Sequence, residues 1–450
     1  MIVCKFGGTS VQNCEAIERL VEIIRQRLEE KPVIVVSALS KVTDLLYRIC
    51  DAAAAKDTAC CNDLVEDLRQ QHLGLARELL SGSGLLEGAL SRVQDICDAL
   101  VTFVGAVCIV GDLSPRSRAR ILSRGELLSS TLIAYALNAR GIQTNLMDAR
   151  NLIITDDDFL KGEPDKEAIC AQAPGRIEAA FKGMDAVITQ GFVGGTAAGE
   201  TTVLGRGGSD YSASLIGMAV GARRVEIWTD VDGVLTADPR VVEHPVPLAE
   251  ISFEEAAEMA HFGAKVLHPM TIEPAVGQNI PILVLNSRNS AAPGTAILCS
   301  DRIEDGVKAV SSKEDILVIN IFSTKMINTS GFLERVFGVF SDNKVPVDLV
   351  STSEANISVT VDASVDVERV TARLSSFAHV SVDRGKSQVS VIGKNILTDA
   401  GIFRQVFSAL EGRRIYMISQ GATFINISFV VDREACRDAV RAIHQSLFEP

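Results

Sequence analysis

The sequence lacks the marks of several large protein classes. Its formal net charge is −13, so we expect no surface that binds nucleic acid, because such a surface needs clustered Lys and Arg. The most apolar run, residues 101–110, has about half the length of a membrane span, so no membrane segment is expected. The ten cysteines are scattered, with no C-x-x-C pair and no His/Cys cluster. That pattern favours reduced thiols over a disulfide framework or a zinc site.

The first residues of the chain also lack a secretion signal. Residues 1–5 show no basic segment followed by an apolar core and a small-residue cleavage site. We therefore expect the protein in the cytoplasm, or in a plastid or another organelle if a transit peptide has been removed. The composition itself suits large buried cores, since 47% of the 450 residues are hydrophobic. A chain of this length predicts about two to four domains.

Short apolar runs alternate with helical patterns in the first part of the chain. These runs have no polar alternation, which is typical of strands buried on both faces of a parallel sheet. They are residues 2–4, 32–36, 186–189 and 225–228. The alternation predicts an α/β fold. Residues 44–140 are predicted to be mostly helical, as an insertion or lid beside the sheet, and the arginine-rich residues 116–124 are more typical of a solvated face than of a binding patch.

The last third of the chain contains an internal repeat. Residues 331–362 align without a gap with residues 401–432, and both copies contain the block Asn-Ile-Ser-x-x-Val-Asp. Each copy has the pattern strand, helix, strand, strand with a terminal helical piece, which predicts two similar modules. Ser, Asn, Pro and Gly cluster near residues 287–294 and mark a boundary. We predict a catalytic domain at 1–295 and a regulatory region at 296–450, with modules at about 314–385 and 386–450.

A lysine and two glycines follow the first predicted strand. In Lys5-Phe6-Gly7-Gly8-Thr9-Ser10, the glycines let backbone N–H groups approach an anion, and the following helix N-terminus and the lysine add positive charge. The P-loop pattern G-x-x-x-x-G-K-[ST] is absent here. A glycine turn between a strand and a helix is common, so this motif by itself is weak.

Further cations stand in glycine-rich or turn contexts. Residues 204–212 contain Arg206, whose planar fork can hold a carboxylate, and Ser209 or Asp210 there is a candidate helix cap. Arg240 and Lys265 follow at later turns. Four cations in loops of an acidic protein predict a ligand with several phosphates and a carboxylate.

These motifs together resemble the aspartokinases of the amino-acid kinase superfamily. The resemblance is carried by residues 5–11, 123–126, 189–192, 204–211, 228–230 and 262–269, which occur in the family's order. The tandem repeat is similar to the two regulatory ACT domains of that family. The resemblance implies a three-layer α/β/α amino-acid kinase fold with a mainly parallel sheet, followed by two ferredoxin-like βαββαβ ACT domains. It also implies an enzyme that phosphorylates L-aspartate with ATP and Mg²⁺, at the first step of the biosynthesis of lysine, threonine and methionine.

The resemblance also implies roles for individual residues. The catalytic residues would be Lys5, against the phosphates, and Asp210, which orients Lys5. Aspartate would be held by Thr43, Glu126, Arg206, Gly207, Gly208 and Ser209. ATP would be held by Lys5, Phe6, Gly7, Gly8, Thr229, Asp230, Arg240, Lys265 and Val266. No resident metal ligand is implied.

The repeat region is most similar to the lysine-inhibited branch of the family. The implied effector site consists of Met326, Thr329, Phe332, Leu333, Val347, Asp348, Ser353 and Glu354. Carboxylates at Asp348 and Glu354 suit a cationic effector, although such a charge can also be an ordinary surface residue. ACT modules often join sheets across subunits, so a homodimer or a dimer of dimers is expected.

Two other functions remain open at this level. One is a kinase for another amino acid, such as glutamate, with a similar nucleotide site. The other is an inactive amino-acid sensor, in which the ACT pair binds an effector and the kinase domain is a scaffold. No G-x-G-x-x-G segment follows the repeats before Pro450, so a fused homoserine dehydrogenase is not expected.

Overall fold

The computed structural model describes residues 1–262, 269–299, 301, 303–327, 330–421 and 424–449. The chain divides into two compact units. The first comprises Met1–Val234, Ala249–Phe253 and Leu267–Cys299, and the second comprises Leu235–Leu248, Glu254–Val266 and Ser300–Pro450.

The strands and helices have the following bounds. The strands are β1 (Ile2–Phe6), β2 (Pro32–Val36), β3 (Thr144–Met147), β4 (Ile154–Thr155), β5 (Ala186–Gln190), β6 (Val193–Thr196), β7 (Thr201–Val203), β8 (Val225–Thr229), β9 (Glu250–Ser252), β10 (Ile282–Asn286), β11 (Thr295–Leu298), β12 (Gly306–Phe322), β13 (Val350–Thr352), β14 (Asn356–Asp362), β15 (His379–Lys394), β16 (Met417–Gln420) and β17 (Asn426–Asp432). The helices are α1 (Cys14–Arg25), α2 (Val42–Ala54), α3 (Thr58–Leu79), α4 (Leu86–Val110), α5 (Pro115–Leu122), α6 (Arg124–Ala139), α7 (Lys166–Ala180), α8 (Gly208–Val220), α9 (Phe253–His261), α10 (Pro269–Val276), α11 (Phe332–Asp342), α12 (Glu368–Ser375), α13 (Ala400–Ala409) and α14 (Arg433–Phe448).

An eight-stranded sheet with the order β3-β5-β2-β1-β8-β10-β11-β9 forms the centre of the first unit. The first six strands of this order are parallel to their neighbours, and β11 turns antiparallel to β10. Every residue of β1, β2 and β5 is buried, because these apolar strands are covered on both faces. The predicted α/β class is confirmed. A smaller sheet, β4-β6-β7, lies in the same unit.

The predicted helical region is confirmed as α2 to α6. Pro115 begins α5 instead of interrupting a helix, and Ser114 caps that helix by accepting a hydrogen bond at Oγ from Ser117 N at 3.2 Å. By length and composition α4, with 25 residues, is apolar enough to cross a membrane, so the apolar run is longer than residues 101–110 indicated. A core helix passes the same test, and one face of α4, from Ala89 to Cys108, is buried in the core of this unit.

The second unit contains a six-stranded antiparallel sheet with the order β13-β14-β12-β15-β17-β16. Its two long strands, β12 and β15, are shared between two modules. Residues 316–322 of β12 pair with β14, whereas residues 306–313 pair with the end of β15, which itself pairs with β17. The second module therefore takes its fourth strand from the segment that precedes the first module. Val310 accordingly lies in the apolar core of the second module.

Candidate active site

The predicted loops meet at one edge of the eight-stranded sheet. Parallel strands end at the same edge, which is where ligands bind in open α/β sheets. Backbone hydrogen bonds join the loops there: Gly7 N donates to Trp228 O at 3.2 Å, Ser37 N to Phe6 O at 3.1 Å, and Gly191 N to Val36 O at 2.8 Å. The chain segments at the ends of β1, β2, β5 and β8, which are far apart in sequence, therefore lie side by side at this edge of the sheet.

Lys5 lies at this edge, near the end of β1. Its side chain is mostly buried, and its Nζ lies 2.5 Å from Asp210 Oδ1 in the first turn of α8. A Cβ added to Gly7 would lie 3.4 Å from that Nζ. Asp210 therefore forms an ion pair with Lys5 and does not cap the helix, which begins after Gly207 (φ 73°) without a side-chain cap. The arrangement holds a cation at a turn where the backbone can approach phosphate closely.

The start of α8 packs tightly on the turn that follows β5. A Cβ on Gly191 would lie 2.6 Å from Ser209 Cβ, and a Cβ on Gly208 would lie 2.7 Å from the Phe192 ring. Phe192 has φ 65°, which is rare for a bulky residue. Its N–H donates to Ser212 Oγ at 2.9 Å. These contacts fix where α8, and with it Asp210, begins.

Glu126 is a buried carboxylate on α6, 4% exposed. Its Oε1 accepts a hydrogen bond from Ala38 N at 3.2 Å, and its Oε2 has no hydrogen-bond partner among the described residues. Burial raises its pKa to about 8. A buried acceptor without a partner suits a ligand that donates, and an ammonium group is such a donor.

The remaining predicted aspartate residues are accessible. Thr43 lies half-buried at the start of α2, and Arg206 is exposed in the loop between β7 and α8. Both positions agree with residues that meet a ligand arriving from solvent. No contact of the described residues joins these two side chains to Glu126, so their role stays a prediction.

The predicted nucleotide residues fall into three groups. Thr229 and Asp230 end β8 at the same edge as Lys5, and Asp230 lies 3.9 Å from Arg288. Arg240 belongs to the second unit and forks onto Asp238, with Nε to Oδ1 at 3.0 Å. Lys265 and Val266 lie outside the described residues, so their placement is not tested.

Two serines that the sequence reasoning missed hold the edge together. Ser10 Oγ lies 2.8 Å from Ser287 Oγ and 3.2 Å from Trp228 O, and Ser287 N donates to Thr229 O at 2.8 Å. They connect the turn after β1 to the ends of β8 and β10. Ser10 belongs to the glycine turn, which is a signal. Ser287 had been assigned only to a boundary.

A buried charge network behind the site also escaped prediction. Glu226 on β8 is 1% exposed and accepts from Arg27 Nε at 2.6 Å, Arg224 Nε at 2.9 Å and Trp228 Nε1 at 3.1 Å. Trp228 stacks on Phe6 with ring centroids 6.0 Å apart. The network anchors β8 beside β1. Its members are spread over 200 residues of sequence, so no local pattern shows it.

The predicted effector residues lie in the first module of the second unit. Phe332 belongs to its apolar core, and Met326 and Val347 pack against that core. Asp348 Oδ2 lies 2.6 Å from Lys313 Nζ, and its Oδ1 lies 4.0 Å from the His261 ring. The other predicted members, Leu333, Ser353 and Glu354, are exposed. Thr329 lies outside the described residues.

Comparison with known proteins agrees with this geometry. Residues 1–286 match the amino acid kinase family, and residues 319–376 and 389–447 match the ACT domain. The chain therefore belongs to the amino acid kinase family and carries two ACT domains.

Within that family the chain groups with the aspartokinases. It is 33% identical to lysine-sensitive aspartokinase 3 of Escherichia coli, covering 100% of this chain and 99% of that protein. It is 34% identical to the chloroplastic aspartokinase 1 of Arabidopsis thaliana, covering 99% of this chain and 80% of that protein. The crystal structure of E. coli aspartokinase III with aspartate and ADP, in the R-state, matches with a TM-score of 0.84 at 33% identity, over 100% of both chains. The T-state structure with lysine and aspartate matches with a TM-score of 0.81 at the same identity, over 100% of this chain and 99% of that one.

Proposed function

We propose that this chain transfers the γ-phosphoryl group of ATP to the β-carboxylate of L-aspartate, giving 4-phospho-L-aspartate and ADP. The proposal rests on two groups of opposite charge type in the first unit, near the carboxyl edge of the eight-stranded sheet. Lys5 is a cation held beside a glycine turn, and Oε2 of the buried Glu126 has no hydrogen-bond partner among the described residues. The first suits phosphate, and the second suits the ammonium group of an amino acid.

ATP lies with its phosphates against Lys5 and the Gly7–Gly8 turn, where the backbone can approach closely. Phe6, Thr229 and Asp230, at the same edge of the sheet, border the nucleotide. Lys5 meets the charge that develops on the transferring group, while Asp210 keeps its Nζ in place. Catalysis of this kind works by positioning and charge neutralisation.

Aspartate is oriented by charges of both signs. Glu126 receives the α-ammonium, Arg206 holds the α-carboxylate, and Thr43 with the Gly207–Ser209 turn completes the site. The β-carboxylate is left free to attack the γ-phosphorus. A carboxylate is already ionised at neutral pH, so the reaction needs no strong general base.

Mg²⁺ enters this proposal together with the nucleotide. Among the described residues no three His, Cys, Asp or Glu side chains converge into a metal-binding group. We infer that Mg²⁺ is held mainly by substrate phosphates and water with one or two carboxylates. Asp210, next to Lys5, is the carboxylate that would meet it. When bound, the ion neutralises phosphate charge.

A hydroxamate assay tests the reaction. Protein, ATP, Mg²⁺ and L-aspartate are mixed with hydroxylamine, which traps an acyl phosphate, and L-glutamate replaces aspartate in a parallel sample. Aspartyl hydroxamate with aspartate alone is the expected result. Product with glutamate instead would support another amino-acid kinase, and no product with either would support the inactive sensor.

We further propose that lysine inhibits the enzyme by binding at the first ACT module. Support comes from the acidic Asp348, which follows Val347 in the chain. Val347 and Met326 pack against the apolar core that contains Phe332. Asp348 is already paired with Lys313 at 2.6 Å, so a cationic effector must displace that side chain. Asp348→Asn should therefore weaken lysine inhibition about tenfold or more, whereas Lys313→Met should strengthen it.

Inhibition curves for lysine separate these outcomes. Asp342→Asn is the matched control, because Asp342 is an exposed carboxylate of the same module, paired with Arg373. Equal lysine sensitivity in all three variants would remove Asp348 from the effector site.

The chain is also proposed to form a homodimer or a dimer of dimers through its ACT sheet. The edge strands β13 and β16 are short, and Val350 and Ile418 on them are exposed, so they can pair with a second sheet. Light scattering should give a mass at least twice 48.2 kDa. All ten cysteines are free thiols, which suits the cytoplasm or a plastid.

A further inference from the structure

A cavity of about 740 Å³ opens in the first unit beside α5. Four arginines line it: Arg116 and Arg120 on α5, Arg124 at the start of α6, and Arg150 after β3. The sequence indicated a solvated face for residues 116–124; Arg116 and Arg120 are exposed as expected, whereas Arg124 is only partly exposed. The cavity shares no residue with the set assigned to ATP and aspartate.

Two of the four arginines already have a counter-charge. Arg116 is paired with Glu200, and Arg150 is forked on Asp148, with Nε to Oδ1 at 3.0 Å. These pairs leave the charges of the other two arginines to be accounted for.

Arg120 and Arg124 have no ion pair within the part of the chain that the structure describes. Arg120 lies over the Phe103 ring at 4.4 Å. Arg124 is partly buried; burial and the nearby charges of Arg120 and Arg150 lower its pKa, and the carboxylate of Asp148 opposes this shift. The lining thus carries two positive charges in excess, in a protein whose net charge is −13. Arg120 is exposed, so its charge is solvated, whereas the partly buried Arg124 lacks, among the described residues, the ion pair that a buried charge normally has.

We propose that this cavity binds a small dianion, a phosphate or a dicarboxylate, through Arg120 and Arg124. A guanidinium presents a planar fork that matches the oxygens of both groups. The volume lies within the range of small-molecule sites, roughly 300–1,000 Å³. Gln190 closes one wall in a fixed orientation, since its Nε2 donates to Ser130 Oγ at 2.8 Å and its Oε1 accepts from Ala149 N at 2.9 Å.

Binding is measured on the full chain by calorimetry and thermal shift. The probes are inorganic phosphate and succinate, with potassium chloride matching the ionic strength. The Arg206→Gln variant removes the guanidinium that would hold succinate in the substrate site. The Lys5→Met variant removes the cation that would hold phosphate in the ATP site. We expect one saturable site that persists in both variants and raises the melting temperature.

Variants of α5 and α6 locate the site. Arg120→Gln and Arg124→Gln should each weaken binding about tenfold or more, since each removes a charge-assisted contact. Arg118→Gln is the matched control, because Arg118 lies on the same helix near Asp51 at 3.7 Å and does not line the cavity. Without ligand, Arg124→Gln should melt at or above the wild-type temperature, because a like-charge contact is removed.

Each outcome decides a part of the proposal. The probe that binds more tightly identifies the ligand as phosphate or dicarboxylate. If Arg124→Gln does not fold, Arg124→Lys replaces it in the experiment. This variant keeps the charge without the planar fork and should retain part of the affinity. Binding by neither probe beyond matched chloride, or equal binding in Arg118→Gln and Arg124→Gln, would overturn the proposal. Neither readout depends on the kinase reaction.

Discussion

Replacing Glu126 with Gln isolates the group that gives aspartate binding its pH dependence. Burial raises the pKa of this carboxyl to about 8 from an ordinary value of 4.5. At pH 7 about nine-tenths of the substrate-free protein therefore carries a neutral Glu126. An ammonium at Oε2 favours the charged form. Aspartate should thus expel nearly one proton when it binds at pH 7.

The magnitude follows from the size of the shift. Each pH unit corresponds to about 1.4 kcal/mol, so the dissociation constant of aspartate should fall about tenfold per unit between about pH 6 and the raised pKa. Above it the constant should level off. Since the folded pKa is raised, the stability from this group is fully present below pH 4.5 and is lost as pH rises through about 8. The loss amounts to roughly 5 kcal/mol for the substrate-free protein.

Calorimetric titration with aspartate measures the proton directly. Titrations at pH 7 in two buffers with different enthalpies of ionisation should differ by the heat of nearly one proton. In Glu126→Gln the difference should vanish, aspartate should bind weakly, and the pH-dependent loss of stability should disappear. Glu22→Gln is the control, because Glu22 is an exposed carboxylate on α1.

The result that refutes this reasoning is heat of binding that does not depend on the buffer. Together with an affinity that stays constant from about pH 6 to about 8, it would show that Glu126 is ionised before aspartate arrives. The carboxylate would then have another cationic partner. Aspartate would have to be recognised by other groups.

Three further substitutions test other parts of the structure. Lys5→Met should lower kcat/KM on the order of thirty- to thousandfold, by about 2–4 kcal/mol of barrier, as followed in a coupled ADP assay; a near wild-type rate would remove Lys5 from the catalytic group. Gly191→Ala places a methyl group 2.6 Å from Ser209 Cβ and should cost about 1–3 kcal/mol of unfolding free energy, measured with urea, so an unchanged midpoint would contradict the tight turn. Glu226→Gln leaves Arg27 without its buried partner and should cost about 3–5 kcal/mol in the same experiment, while a loss below 1 kcal/mol would mean that the network is solvated.

Local sequence patterns were sufficient to predict the buried strands and the α/β class of the first unit. The apolar runs at residues 2–4 and 32–36 have no polar alternation, which indicates burial on both faces of the sheet. Parallel strands share a carboxyl edge, which explains why the loops after them meet, but the grouping of Lys5, Gly7 and Asp230 was implied by the family resemblance. The Lys5–Asp210 contact was inferred from family resemblance. Helix capping by Asp210 was the local alternative, and the structure excludes it.

Long-range pairing was not accessible from the sequence. The repeats show which residues form each module. They do not show that the first half of β12 pairs with the second module while its second half belongs to the first module, since either half has an ordinary strand pattern. The cavity did have a signal that was overlooked. Arg116 and Arg120 stand four residues apart and share one helix face, whereas Arg118 points elsewhere. What an arginine face packs against is decided by the tertiary fold, so the run alone favoured solvent.

Lys5 and Glu126 differ in whether their charge is present before a substrate binds, so the two substrates should differ in the pH dependence of their KM. Lys5 is paired with Asp210 before any nucleotide arrives, so the phosphates meet a cation that is already in place. Glu126 has no cation among the described residues, so its charge appears only when the ammonium of aspartate enters. The KM for ATP should therefore change little between about pH 6 and about 8, while the KM for aspartate falls steeply over the same range. Parallel slopes for both substrates would mean that one shared group controls both, and the division of roles between Lys5 and Glu126 would be wrong.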